Sequence, residues 1–235
     1  MKFEHTDVWG FEHAIRGMRN PKASWDKSDS YRADDGTFVV GPADMALMRK
    51  LIKAGSEHRK FMRQIEVSVD ISSGLHWWKE FDTYKIGTTA NSTSTMHKIA
   101  TTPITIDMFE TDDYKPDLPF SFTDDQKFNL NLFTDYMISV LERLREYCQD
   151  EELDEQTRKA YWKELIRWLP CGWLQTRTVT MSYEVLLRIC SPGQRRHHKL
   201  TEWSKSFIGW ARTLPYAQEL LFGDELEAKN EPATT

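Results

Sequence analysis

Apolar and polar positions alternate most cleanly between Phe61 and Ile71. Phe61, Ile65, Val67, Val69 and Ile71 are apolar, with Arg63 the exception, and Gln64, Glu66, Ser68 and Asp70 are polar. A period of two over this length predicts a strand with one face in a core and the other in water or at a subunit contact. Upstream, Met45, Met48, Leu51 and Ile52 recur at helical spacing between Pro42, suited to a first turn, and Gly55, a stop. This predicts an amphipathic helix lying on a sheet. Leu75, Trp78 and Phe81 predict a short helix, and Ile104, Ile106 and Met108 a second strand. The longest helix is expected to start at Thr123, with Asp124 and Asp125 in its acidic first turn. Its stripe of Leu130, Phe133, Met137, Val140, Leu144 and Tyr147 suits a core or a subunit interface.

Beyond the acidic turn Asp150 to Glu155, a further helix ends at Leu169-Pro170. Thr176 to Thr180 reads as a strand and Tyr183 to Ile189 as a short helix, and Leu200, Trp203, Phe207 and Trp210 define a last helix. The first forty residues are mixed. Asn20-Pro21 and Ser24 to Gly36 read as loop, with Trp25 and Tyr31 as its anchors. The pattern as a whole predicts an α+β protein, a mostly antiparallel sheet packed with helices. One domain is expected over residues 1–223, with a disordered tail over 224–235.

Composition narrows the function classes. A formal net charge of -5 does not advertise nucleic-acid or anionic-membrane binding, so any phosphate site must come from local basic residues. No apolar run approaches a membrane span, and Glu4, His5 and Asp7 interrupt the N-terminus where a signal peptide needs an apolar stretch. Cys148, Cys171 and Cys190 form no close pair and no metal-type spacing; they read as reduced thiols of a cytoplasmic protein. Apart from His197-His198, which as helix neighbours face different ways, the histidines are scattered, and no metal site is expected. Aromatic residues reach 12%, enough for a bulky core or for stacking surfaces such as Trp77 and Trp78.

One ordered set of motifs carries a family resemblance. A helix is followed by Ala54-Gly55-Ser56-Glu57-His58, then Phe61, a strand, an aromatic helix and a Ser/Thr/Asn cluster. This order resembles the flavin-dependent thymidylate synthases, in which Glu57, His58 and Phe61 match in identity and spacing. That family then presents Arg-His-Arg-x-x-Ser-x-Asn-Glu-x-Ser-x-Arg. Aligned on the asparagine, this chain reads Tyr84-Lys85-Ile86-Gly87-Thr88-Thr89-Ala90-Asn91-Ser92-Thr93-Ser94-Thr95-Met96. Asn91 and Ser94 match, Thr89 is conservative, and Tyr84, Ile86, Ser92 and Met96 do not match; a one-residue shift lets Lys85 stand for the third basic residue. Further on, Leu169-Pro170, the strand Thr176 to Thr180, Ser182 at an Asn position and Glu184 at an Arg position follow the family's layout, before the basic stretch Arg195 to Lys199.

The resemblance implies a homotetramer that binds a dUMP-type pyrimidine nucleotide and FAD, with NADPH and methylenetetrahydrofolate required only if the family's methyl transfer is kept. It places Glu57, His58, Lys85 and Asn91 at the cofactor and Thr89, Ser92, Ser94, Arg195 and Arg196 at the nucleotide; no catalytic residue is assigned. Guanidinium groups grip phosphate through paired, charge-assisted hydrogen bonds. Tyr84 and Ile86 cannot, so FAD binding is expected to be weak or absent, and Glu184 puts an acid where the family has a base. Two other readings stay open: a non-catalytic homo-oligomeric binding or interaction protein that keeps the fold without the flavin, and an unrelated α+β protein.

Overall fold

The structure of the protein, a computed structural model, describes residues 1–121, 123–124 and 128–225. In chain order the elements begin with strand β1 (Lys2–Trp9), helix α1 (Phe11–Arg19), the short strands β2 (Tyr31–Arg32) and β3 (Phe38–Val39) and helix α2 (Pro42–Lys53). Strand β4 (Glu66–Gly74), helix α3 (Leu75–Phe81), strand β5 (Thr88–Ser92) and the single turn α4 (Thr95–Lys98) follow. Then come β6 (Pro119–Phe120), β7 (Phe128–Asn129), the helices α5 (Leu130–Gln149) and α6 (Glu155–Arg167), strand β8 (Leu174–Ser182), and α7 (Tyr183–Ile189), α8 (Pro192–His197), α9 (Ile208–Thr213) and α10 (Ala217–Leu220). The architecture is α+β, with a central antiparallel sheet in the order β1-β4-β8-β5.

The chain forms two compact units. A terminal unit comprises Lys2–Ile71, Phe81–Asn91 and the chain from Thr178 onward, and a central unit comprises Met1, Ser72–Glu80 and Ser92–Arg177. Strands β4 and β8 each contribute residues to both.

In the terminal unit, Ile65, Val67, Val69 and Ile71 are buried, as their alternation predicts. Their polar neighbours pair with β8: Ser68 Oγ lies 3.0 Å from Thr180 Oγ1, and Thr178 Oγ1 donates to Asp70 Oδ1 at 2.5 Å. The predicted strand starts too early, however. Lys60–Gln64 is a 3-10 turn in which the consecutive residues Phe61 and Met62 are both buried, a pattern that alternation cannot produce. The turn packs against Gly10 at the start of α1, at φ +97°, where a Cβ would lie 2.0 Å from the Gln64 carbonyl oxygen.

The loop Ser24 to Gly36 is held differently from the expectation. Trp25 and Tyr31 are exposed; Trp25 ties the loop only at its start, donating from Nε1 to Asn20 Oδ1 at 2.8 Å. Asp44, fully buried in the first turn of α2, holds the loop instead. Its carboxylate accepts from Arg19 Nε at 2.6 Å, Ser28 Oγ at 2.6 Å, Ser30 Oγ at 2.7 Å and the Asp29 and Ser30 amides at 3.2 Å. Burial pushes the Asp44 carboxyl up, but the hydrogen bonds from Ser28, Ser30 and Arg19 outweigh it and hold it below the ordinary value. Asp29 in turn accepts from the Ala43 and Asp44 amides, which satisfies the start of α2. That helix packs against α1 and α10.

The core of this unit is aromatic. Trp203 and Phe207 lie on a π-helical turn, Glu202–Phe207, and are buried with Phe81 and Trp210; Leu200, placed on the same stripe by its spacing, is exposed. Phe3 of β1 stacks on Trp210 at 4.9 Å, and Phe11 of α1 meets the Tyr183 ring at 5.6 Å.

The central unit has its own core of Ile99, Ile104, Leu141, Leu165 and Trp173, with Met108, Ile138, Leu144 and Trp162 packed around it. Ile104 is buried, but residues 104–108 form no strand; Ile106–Met108 is a 3-10 turn. Helix α5 begins at Leu130, not Thr123, because Asn129 is its cap: Asn129 Oδ1 accepts from the Leu132 amide at 3.0 Å. Asp125 lies outside the described residues, as does most of the predicted tail; Asp224 and Glu225 at its start are described. Leu141 rather than Val140 is the buried residue of α5, and the Tyr147 ring stacks on Tyr161 of α6 at 4.6 Å. Trp77 and Trp78 are both buried, and the face of Trp78 is covered by the Arg177 guanidinium, 4.2 Å from its ring centroid.

All three cysteines are free thiols. Burial pushes the Cys190 thiol up to about 12, whereas Cys171 is exposed, with Lys79 Nζ 3.2 Å from its sulfur. No described helix is long and apolar enough to cross a membrane.

Candidate functional site

Within the terminal unit, a cavity of about 410 Å³ is built from the end of α2, the turn after it, α7 and the stretch from α10 to Asp224. Helical spacing puts Arg49, Ile52 and Lys53 on one face of α2. Gly55, at φ +103°, ends the helix and turns the chain so that Arg59 reaches the same space. Helix α7 adds Leu187 and Arg188, and the floor is apolar at Leu220 and Leu221. Four basic side chains (Arg49, Lys53, Arg59 and Arg188) therefore line a concavity that has two acids, Glu219 and Asp224. An apolar floor with convergent cations suits a ligand that joins an anionic group to a flat or aliphatic body.

Arg59 also resolves a charge conflict. It grips Glu184 bidentately, with Nε 2.9 Å from Oε2 and Nη2 3.1 Å from Oε1. The Glu184 carboxylate is thus neutralised in place by a neighbouring base. Arg188 lies with its guanidinium carbon 5.8 Å from the Tyr84 ring centroid.

Tyr84 itself is a buried structural residue. Its hydroxyl donates to Gln194 Oε1 at 2.9 Å and lies 2.6 Å from His198 Nε2. Since a hydroxyl has one proton and the glutamine oxygen only accepts, His198 must donate from Nε2 to Tyr84. The position where the resemblance offers an arginine for phosphate is therefore spent on joining the 3-10 turn Asp82–Tyr84 to α8.

The residues singled out from the sequence sit elsewhere. Glu57 and His58 are exposed in the turn after α2, with Glu57 3.5 Å from Lys60. Lys85 is exposed just ahead of β5, and Thr89, Asn91 and Ser92 are exposed along that strand, which is an edge of the sheet; Ser94 is exposed beyond it. Arg196 is exposed on α8, whereas Arg195 is held by Asp224 and Glu225. Among the described residues, none of these lines the 410 Å³ cavity. Arg49, Lys53, Arg59 and Arg188 carry no motif that singles them out along the sequence. Arg49 and Lys53 stand at i, i+4, but nothing along the chain brings Arg188 to them.

No family model matches the chain, and no curated protein matches its sequence. Solved structures do match. The flavin-dependent thymidylate synthase ThyX of Helicobacter pylori, complexed with FAD and dUMP, superposes with a TM-score of 0.60 at 14% identity, over 95% of this chain and 99% of that one. The UMP/dUMP methylase PolB of Streptomyces cacaoi, bound with 5-Br UMP, gives a TM-score of 0.57 at 11% identity, over 94% and 93%. The chain therefore has a divergent ThyX-like fold. At these identities the likeness extends to the fold and not to the activity.

Proposed function

We propose that the chain is a ThyX-fold protein that binds a pyrimidine mononucleotide of the dUMP type, with its phosphate in the cavity lined by Arg49, Lys53, Arg59 and Arg188. The observation that carries this reading is the gathering of Arg49, Lys53 and Arg188 around one apolar-floored cavity, beside Arg59 paired with Glu184, in a fold whose solved neighbours include complexes with dUMP and UMP analogues. Two positions where the resemblance presents basic residues to the cofactor carry no charge in this chain. Tyr84 is buried and hydrogen-bonded within the core, Ile86 is a bare apolar side chain at 78% exposure, and neither offers a charge to a diphosphate. FAD binding is therefore expected to be weak or absent, and NADPH and methylenetetrahydrofolate are required only if the methyl transfer is kept. Calorimetry with dUMP tests the proposal. Replacing Lys53 and Arg188 together by Ala should weaken binding by about a hundredfold or more, since each charge-assisted contact to phosphate contributes roughly 1.5–3 kcal/mol. Unchanged affinity in the double variant would remove the cavity from the function.

A homo-oligomer, tetrameric by the resemblance, is part of the same proposal. Its support is the outward face of α5, where Leu132, Tyr136 and Val140 follow one another at i, i+4 and i+8 and are 47%, 61% and 38% exposed. Such a stripe on a long helix is the pattern of a subunit contact. A charge at its centre, Tyr136→Glu, should shift the mass measured by light scattering from an oligomer toward the single chain. A wild-type protein that scatters as a monomer at micromolar concentration would rule the assembly out.

A further inference from the structure

The segment Leu220–Glu225 has a second relation to the cations of the terminal unit. Phe222 is fully buried, with the Arg212 guanidinium 4.0 Å and the Arg195 guanidinium 5.6 Å from its ring centroid. The next two residues place carboxylates on the same arginines. Arg195 Nη2 donates to Asp224 Oδ2 at 2.5 Å and Arg195 Nη1 to Glu225 Oε1, while Arg212 Nη2 donates to both Glu225 oxygens, at 2.7 and 2.9 Å. Two guanidinium groups converging on paired oxygens form the arrangement that takes a phosphate; here the chain supplies the anion itself. The arginines also line a second, smaller cavity of about 150 Å³ with His198 and Ser204. Leu220, Leu221 and Asp224 meanwhile form part of the wall of the 410 Å³ cavity, so one stretch of chain borders both spaces.

We propose that Leu220–Glu225 is an acidic strap: it occupies Arg195 and Arg212 as an internal anion and competes with a phosphate-bearing ligand entering the neighbouring basic cavity. The competition rests on the nucleotide reading of that cavity; the strap does not. The electrostatics run in one direction. While Asp224 and Glu225 hold Arg195 and Arg212, those cations contribute little attraction to an incoming phosphate, and Asp224 adds repulsion at the cavity wall. Release of the segment reverses both effects, and Arg195 then becomes available to an anion. The segment is held by the buried side chains of Leu220, Leu221 and Phe222 and, at its acidic end, by partly exposed ion pairs, which salt screens, so salt tunes the free energy of its local opening.

The test pairs two measurements on the full chain and on an Asp224→Asn, Glu225→Gln variant, whose substitutions keep shape and remove charge. First, chymotrypsin cleavage after Phe222 reports release with no ligand present. The variant should be cut about tenfold faster, and cleavage of the wild type should accelerate as salt rises; equal, salt-independent rates in the two proteins would overturn the strap. Second, calorimetry with dUMP should show the variant binding about tenfold more tightly, because an internal competitor is removed. Equal measurable affinities would overturn the competition. If neither protein binds dUMP, the nucleotide reading fails and the competition with it, while the cleavage rates still decide the strap.

Discussion

Replacing Asp44 by Asn is expected to remove about 3–5 kcal/mol of folding stability, the cost typical of breaking a buried ion pair from one side. The carboxylate is fully buried, and so is its partner Arg19. The amide side chain is nearly isosteric, yet it leaves the Arg19 guanidinium charged and unneutralised in the interior, and it turns an NH2 group toward donors. Five donors converge on Asp44, and all but Arg19 come from the loop residues Ser28, Asp29 and Ser30, so the loss should also free that loop from α2. Urea unfolding should show the lower midpoint, and a shift smaller than that of an ordinary surface substitution would refute the assignment. The pH dependence has a definite sign. The folded-state pKa of Asp44 is depressed below its unfolded value, so its contribution is complete above the unfolded pKa of about 4 and is lost as pH falls through the folded value. Below about pH 4 the wild type should therefore lose stability more steeply than Asp44→Asn.

Trp203→Ala should cost a similar 3–5 kcal/mol or so, through a cavity rather than a charge. The indole is almost fully buried and stacks on the His198 ring at 4.3 Å and 13°, with Phe207 at 5.3 Å and Tyr84 at 5.9 Å. Because it supports His198, which donates to Tyr84, its removal loosens the join between the 3-10 turn Asp82–Tyr84 and α8. Trp203→Phe, which keeps an aromatic face against the imidazole, should recover a large part of the loss. If Phe and Ala variants unfold at the same denaturant concentration, the stack is not what holds the helix.

How far the sequence could be read follows from the kind of interaction that shapes each element. Helix α7 begins at Tyr183 and ends at Ile189 as the apolar spacing predicts, and the alternation of Ile65 to Ile71 is realised in β4, because burial of every second or every third to fourth residue is a local signal. Residues 104–108 mislead for the same reason. Ile104 is apolar because the central core needs it, not because its neighbours pair in a sheet. Thr123 resembles a cap as closely as Asn129 does along the sequence, and it is Asn129 that accepts from the Leu132 amide. Strand β1 escapes because, as an edge strand, it shields little beyond Phe3 and Val8. Helix α1 is a plainer omission, since Phe11, Ala14, Ile15 and Met18 carry a complete helical stripe. The ThyX-like layout was legible from the order of its motifs. The candidate cavity was not, because Arg59 meets Glu184 across 125 positions of chain. No periodicity reports a pairing at that distance.

The division of the chain has a bearing on how the protein is made. The terminal unit joins its first seventy residues to residues beyond Thr178: Phe3 stacks on Trp210, Phe11 packs on Tyr183, and the Val40 amide donates to the Tyr216 hydroxyl at 2.9 Å. On a ribosome, β1, α1 and α2 emerge long before any of these partners exist. At about 5–20 residues per second they wait for several seconds or longer with aromatic faces uncovered. The central unit draws its core from Ser72–Glu80 and Ser92–Arg177, all made before Thr178, and can close while translation continues. The order of synthesis thus places the most local unit in the middle and leaves the aromatic core of the terminal unit to be completed last, a topology in which closure of the longest loop limits the rate of folding.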